Sequence, residues 1–155
     1  MPKPIAYAPI PIQQPTLEER NKRAELVLAM RYDALNQQFT QVEQLLKSLK
    51  PPHDVWVTYD IGGYEGNSHW QLLGMAKHQN KWRLCHAYDH EYEDRSDSAP
   101  IVECPIEVRI EAAKFVRQLR EEIVKAKEDY VPKVDEAIKE LADVCNTPLS
   151  GKEAR

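Results

Sequence analysis

The sequence predicts an α+β fold in which two long helices, paired as an antiparallel helical hairpin, bracket a small three-stranded antiparallel sheet. Apolar residues recur at helical spacing in residues 16–50 and 105–145, and they alternate at strand spacing in residues 54–91. The chain has 155 residues, of which 42% are hydrophobic and 30% charged, a composition typical of one folded domain. We therefore expect a single α+β domain over residues 16–145.

The two ends of the chain are expected to lie outside this domain. Residues 1–15 hold five of the eleven prolines. Because proline fixes φ and lacks a backbone donor, this segment is predicted to be an extended arm. Residues 146–155 follow the last helical pattern and are predicted to form a flexible tail.

The first helix has recognisable start and stop signals. Thr16 and Glu19 have the spacing of a capping box, in which each side chain binds the backbone amide of the other residue. Pro51 and Pro52 end the helix, because proline disfavours helical backbone before it. Between these signals a heptad seam predicts contact with a partner helix, through Leu28, Tyr32, Leu35, Phe39, Val42, Leu46 and Leu49.

Three segments have the alternation of strands. They begin at Val55, His69 and Trp82, and a polar turn over residues 78–81 joins the last two. A glycine-rich loop joins the first two. Residues 101–102 are expected to add a short edge strand.

The second helix is expected to begin at Pro105, since proline is favoured in the first helical position. Its predicted seam continues to Val144, with a four-residue stutter that contains Pro132 and predicts a kink there. The seam consists of Ala112, Val116, Leu119, Ile123, Ala126, Tyr130, Val134, Ala137, Leu141 and Val144.

One face of the sheet is a candidate binding surface. If Lys77 pairs with Trp82, and Asp60 with His69, polar and aromatic side chains collect on one face. The candidate residues are Trp56, Asp60, His69, Gln71, His86, Tyr88 and His90. Asp60, His69 and His90 would form a row across three strands, a set suited to proton transfer or metal binding. A slip of one residue in either hairpin would dissolve this row.

Composition narrows the classes of function. No nucleotide-binding, zinc-protease or nucleophile-elbow motif occurs, so no catalytic residue, metal ligand or cofactor is assigned. The net charge of −4 and the lack of a basic block disfavour nucleic acid. The longest apolar run has five residues, which excludes a bilayer-spanning segment. Three widely spaced cysteines and the lack of an apolar N-terminal stretch favour the cytoplasm.

A second apolar stripe on the second helix predicts self-association. Val124, Val131 and Ile138 lie seven residues apart beside the predicted seam, so the apolar face is wider than one partner helix covers. A homodimer would bury this stripe on both copies. The leading hypothesis is therefore a non-enzymatic protein-interaction module, such as an adaptor, a chaperone-like binder or an assembly subunit. The alternative is a small metal-binding protein or hydrolase-like enzyme that uses the histidines and aspartate of the sheet.

Overall fold

A computed structural model describes residues 1–5, 9–10, 13–60, 69–90 and 97–149 of the chain. The elements in chain order are helix α1 (Leu17–Ser48), strands β1 (Val55–Asp60), β2 (His69–His78), β3 (Lys81–His90) and β4 (Ala99–Pro100), the 3-10 turn η1 (Ile101–Glu103), and helices α2 (Ile106–Ala113) and α3 (Val116–Asn146). The four strands form one antiparallel sheet in the order β1-β2-β3-β4. The predicted α+β class is confirmed.

The chain divides into two units, Met1–Leu35 and Asn36–Arg155. In the first unit, α1 begins at the predicted capping box. The Thr16 amide donates to the Glu19 carboxylate (3.0 Å), and the Glu19 amide donates to Thr16 Oγ1 (3.1 Å). Every described residue of this unit before Leu35 is exposed, so the predicted burial of Leu28 and Tyr32 in a seam is wrong.

The second unit holds the sheet and its core. Phe39 and Leu119 are buried, as their seam positions predict. The most completely buried large side chains come from strands and helices alike: Leu46, Leu73, Met75, Leu84, Ile101, Leu119 and Ile123. A tight turn joins β2 to β3, with Gln79 and Asn80 both at positive φ, which is the two-residue hairpin turn that right-twisted strands favour.

The second part of α1 runs parallel to α2 and α3, so the predicted antiparallel hairpin is wrong in its direction. Arg109 Nη1 donates to Asn36 Oδ1, and Lys127 Nζ donates to the Leu49 carbonyl (2.8 Å). Asn36 precedes Leu49 in the chain, and Arg109 likewise precedes Lys127, so the two segments run in the same direction. The physical reason is the number of strands between the helices. Three consecutive antiparallel strands follow α1, and because this number is odd, β3 ends near the level at which this part of α1 begins.

The second helical segment is two helices and not one. Residues 114–115 separate α2 from α3, without a proline or glycine at the break. The break turns Phe115 towards the sheet, where its ring stacks on Tyr59 of β1 with 4.0 Å between the ring centres. Pro132 lies inside α3, which continues through it. The short fourth strand consists of Ala99–Pro100 and not of residues 101–102, which form η1.

The core ends part-way along α3. Leu119 and Ile123 are fully buried, whereas every residue from Lys127 to Leu149 is exposed. The predicted burial of Tyr130, Val134 and the later seam positions Ala137, Leu141 and Val144 is therefore wrong. The small sheet packs against the first turns of α3, and the later turns extend past it.

Candidate functional site

The two predicted hairpin registers have different outcomes. Lys77 pairs with Trp82, and the backbone of His69 pairs with that of His90, as expected. In the first hairpin, however, Asp60 pairs with Trp70, one residue away from the expected partner His69. The expected row across three strands is therefore wrong on the β1 side, and the side chains of Asp60, His69 and His90 lie outside the described residues.

The slip turns β1 over relative to its neighbours. Val55, Val57 and Tyr59 now share a face with Leu73 and Met75, which brings buried apolar side chains of β1 and β2 together on one side of the sheet. The observed register therefore favours burial of this face. The same register brings Tyr59 opposite Gln71 and separates Trp56 from the rest of the predicted set.

Trp56 lies on the opposite face, over Gly74. A side-chain carbon at position 74 would collide with the Trp56 ring and with the Val55 carbonyl oxygen. Glycine is required there because the indole occupies the space that a larger residue would fill. Trp56 therefore packs against the sheet and does not join the polar cluster.

Three of the predicted residues, Gln71, His86 and Tyr88, come together on the face of the sheet that carries Leu73 and Met75, and Tyr59 joins them there. Gln71 Oε1 accepts hydrogen bonds from the Tyr59 hydroxyl (3.2 Å) and from His86 Nε2 (2.8 Å). The Tyr88 ring meets the His86 ring edge-on, with 4.7 Å between centres. Because the Gln71 carbonyl oxygen is an acceptor, the neutral His86 ring carries its proton on Nε2.

Burial sets the protonation of this cluster. It lowers the pKa of His86 from 6.5 to about 4, since a charged imidazolium would lose its hydration. Burial raises the pKa of Tyr59 well above its usual value, and the nearby Glu111 carboxylate adds to the increase. Burial also raises the pKa of Tyr88. At neutral pH the cluster is a set of uncharged, mutually hydrogen-bonded groups, suited to fixing the strands and poorly suited to accepting a proton.

A second buried polar group escaped the sequence analysis. Glu43 of α1 lies beside β3, where its Oε2 accepts from the Leu84 amide (2.9 Å) and from Arg83 Nε (3.1 Å). Lys47 Nζ lies 3.5 Å from its Oε1. β4 pairs with β3 at Cys85 and His86, so Glu43 occupies the adjacent part of the same edge. Its sequence signal is weak, because a glutamate beside a lysine four residues later is typical of a solvated helix face.

The predicted dimer stripe is exposed. Val124, Val131 and Ile138 are 41%, 59% and 59% exposed, respectively. Beside them, Tyr130, Val134, Leu141 and Val144 are also exposed, so two neighbouring heptad lines form one apolar strip along α3. We call the set from Val124 to Val144 the α3 strip. Exposed apolar patches of this kind mark interaction sites on folded proteins.

The chain matches no protein-family model, no curated protein and no solved structure. Among the residues that the structure describes, no three His, Cys, Asp or Glu side chains lie close enough together to hold one metal ion. Within the same part of the chain, no helix has the length and apolarity that a bilayer span requires. The enzyme or metal-binding alternative, and the binding roles of the predicted sheet residues, stay predictions.

Proposed function

We propose that this protein is a non-enzymatic interaction module that forms a homodimer through the α3 strip. One observation carries the proposal: every residue of α3 from Lys127 onward is exposed, yet this part of the helix keeps a continuous apolar strip. An apolar strip that faces water adds little to the stability of a helix, because most helical stability in proteins comes from packing such a face.

A second copy is the occupant that the strip fits. Val131, Val134, Ile138 and Leu141 recur at alternating steps of three and four, the pattern with which one α-helix packs against another. A two-fold symmetric contact buries the same strip on both copies, so one surface supplies both sides of the contact. The chain thus carries both halves of the complementary surface.

The proposal includes a cytoplasmic location. Cys85 is buried and Cys145 is exposed at the end of α3, which supports the expectation of unpaired thiols. Burial raises the pKa of the Cys85 thiol to about 11 and so keeps it in its unreactive form. Unpaired thiols are typical of reducing compartments.

Light scattering on the purified chain tests the dimer. We expect twice the chain mass of 17.9 kDa for the wild type at micromolar concentration, and a monomer for the Val131→Glu, Ile138→Glu double variant. Lys139→Glu is the matched control, since it changes the net charge by the same amount one residue away from the strip. It should remain a dimer. A monomeric wild type would refute the homodimer, and a dimeric double variant would place the interface elsewhere.

A further inference from the structure

A longer line of exposed residues, which we call the stripe, runs along the whole of α3 and extends the α3 strip to the start of the helix. Alternating steps of three and four lead through Arg117, Arg120, Val124, Lys127, Val131, Val134, Ile138, Leu141 and Cys145, and each of these residues is exposed. Its first half is basic at the stripe positions, whereas its second half is apolar. The two halves therefore present different chemistry to a partner.

The flanks of the stripe divide in charge at the same place. Residues 116–127 of α3 contain four basic and two acidic side chains, a net charge of +2. Residues 128–146 contain two basic and six acidic side chains, a net charge of −4. One helix thus has a basic first half and an acidic second half.

A groove lies beside the basic half. It has a volume of about 500 Å³. Its lining combines apolar side chains from α1 and α3 with a basic rim: Val42, Leu45, Leu46, Val116, Lys114, Arg117 and Arg120. Leu45 is 44% exposed there. Lys114 already pairs with Glu111 (2.9 Å), but neither Arg117 nor Arg120 has a carboxylate within 4.0 Å among the described residues.

We propose that the two copies pair with their α3 helices antiparallel, so that the acidic second half of one α3 docks against the basic first half and the groove of the other. This inference rests on the proposed homodimer and adds its direction. Apolar strip residues of one copy would cover Leu45 and Val116 of the other, while carboxylates on the strip's flanks would face Arg117 and Arg120. Two-fold symmetry makes the same contact twice.

Charge decides between the two directions. A parallel pair would place +2 beside +2 and −4 beside −4, whereas an antiparallel pair places opposite charges together at both ends. The apolar strip by itself also fits a parallel arrangement. Parallel pairs favour β-branched residues at one core position of the heptad, as at Val131 and Ile138, and leucine at the other, as at Leu141. Flanking charges commonly set the orientation of such helices.

Thiol cross-linking distinguishes the directions, because Cys145 lies on the stripe. In a parallel dimer the two Cys145 thiols are neighbours, whereas in an antiparallel dimer they lie at opposite ends, tens of ångströms apart. We expect a short bismaleimide to leave wild-type dimers uncross-linked and to cross-link Ala113→Cys, a variant at an exposed position of the groove. The cross-link should disappear in Ala113→Cys, Cys145→Ser, which retains Cys85 and Cys104 as an internal control.

The outcomes separate this inference from the proposed function. A wild-type Cys145–Cys145 cross-link would establish a parallel dimer, which overturns the antiparallel inference and leaves the homodimer standing. A dimer that cross-links neither as wild type nor as Ala113→Cys also overturns the antiparallel inference. A protein that is monomeric by light scattering refutes both.

Charge reversal gives a second, independent measurement. Arg117→Glu with Arg120→Glu should weaken the dimer at least tenfold in Kd, and added salt should weaken the wild type, since screened attractions contribute less. Lys133→Glu with Lys139→Glu makes the same change in net charge on the already acidic half, and we expect no weakening. Equal weakening by both pairs would mean that total charge, and not antiparallel pairing, governs association.

Discussion

Replacing Glu43 with alanine should destabilise the folded protein far more than a change at its salt-bridge partner Lys47. The Glu43 carboxylate is the acceptor for the amide of Leu84, a residue with no exposed surface. A buried amide left without an acceptor costs about 1–3 kcal/mol. The Arg83 and Lys47 side chains are 30% and 32% exposed, so both can return to solvent, and losing their pairs adds about 1 kcal/mol or less.

The sum is a loss of about 1–4 kcal/mol in the free energy of unfolding for Glu43→Ala. For a chain of this size that corresponds to a decrease in Tm of roughly 2–16 °C. Lys47→Ala removes only the partly exposed pair at 3.5 Å and should change the free energy by about 0.5 kcal/mol or less. Glu43→Gln should fall between the two, because its amide oxygen can still accept from Leu84.

Urea unfolding, followed by circular dichroism, measures the three variants under identical conditions. The order of stability should be wild type and Lys47→Ala together, then Glu43→Gln, then Glu43→Ala. If Glu43→Ala and Lys47→Ala unfolded at the same urea concentration, the hydrogen bond from the Leu84 amide to Glu43 would contribute nothing to the free energy of unfolding. That result would refute the stabilising role of Glu43 at the edge of β3.

Three further predictions concern the core. His86 should make the stability of the protein depend on pH. Its pKa is about 4 in the folded protein and 6.5 in the unfolded chain, so the unfolded state binds the proton first as the pH falls. The free energy of unfolding should therefore decrease by about 2–3 kcal/mol between pH 6.5 and pH 4. Unfolding measured across this range should show a shallower decrease for His86→Gln, and an unchanged slope would contradict the assignment. Gly74→Ala should cost about 1–3 kcal/mol by forcing the Trp56 ring from the sheet, with a change in tryptophan fluorescence as the local readout. Phe39→Ala and Leu119→Ala should each cost about 2–5 kcal/mol in urea unfolding, and unmoved midpoints would contradict their burial.

The sequence predicted correctly those features of the fold that depend only on residues close together in the chain. The capping box at Thr16 needs only residues three apart, and the turn at Gln79 and Asn80 leaves two residues to set the register of the second hairpin. The register of β1 depends on burial across the whole sheet, since the long first loop constrains pairing weakly. The same applies to the helix break at Phe115, whose ring stacks on Tyr59 of a distant strand.

The candidate site was predicted in part for the same reason. Gln71, His86 and Tyr88 share one face because they alternate on strands joined by the tight turn. Tyr59 joins them only in the observed β1 register. Heptad spacing identified the strip on α3 but did not distinguish residues that face the sheet from those beyond it, because spacing records which face of a helix is apolar and not what covers that face.

The contact between Glu43 and the edge of β3 also affects what the chain does before it is fully folded. An uncovered strand edge presents unpaired amides and carbonyls, to which a strand of another molecule can add. Until α1 lies against residues 83–84, this edge is open, and it exposes the side chains of Leu84 and Cys85, both fully buried in the folded protein. Docking of α1 therefore closes a route to aggregation. A chain that loses α1, by proteolysis or truncation, should precipitate through intermolecular strand pairing even where its own sheet can still form.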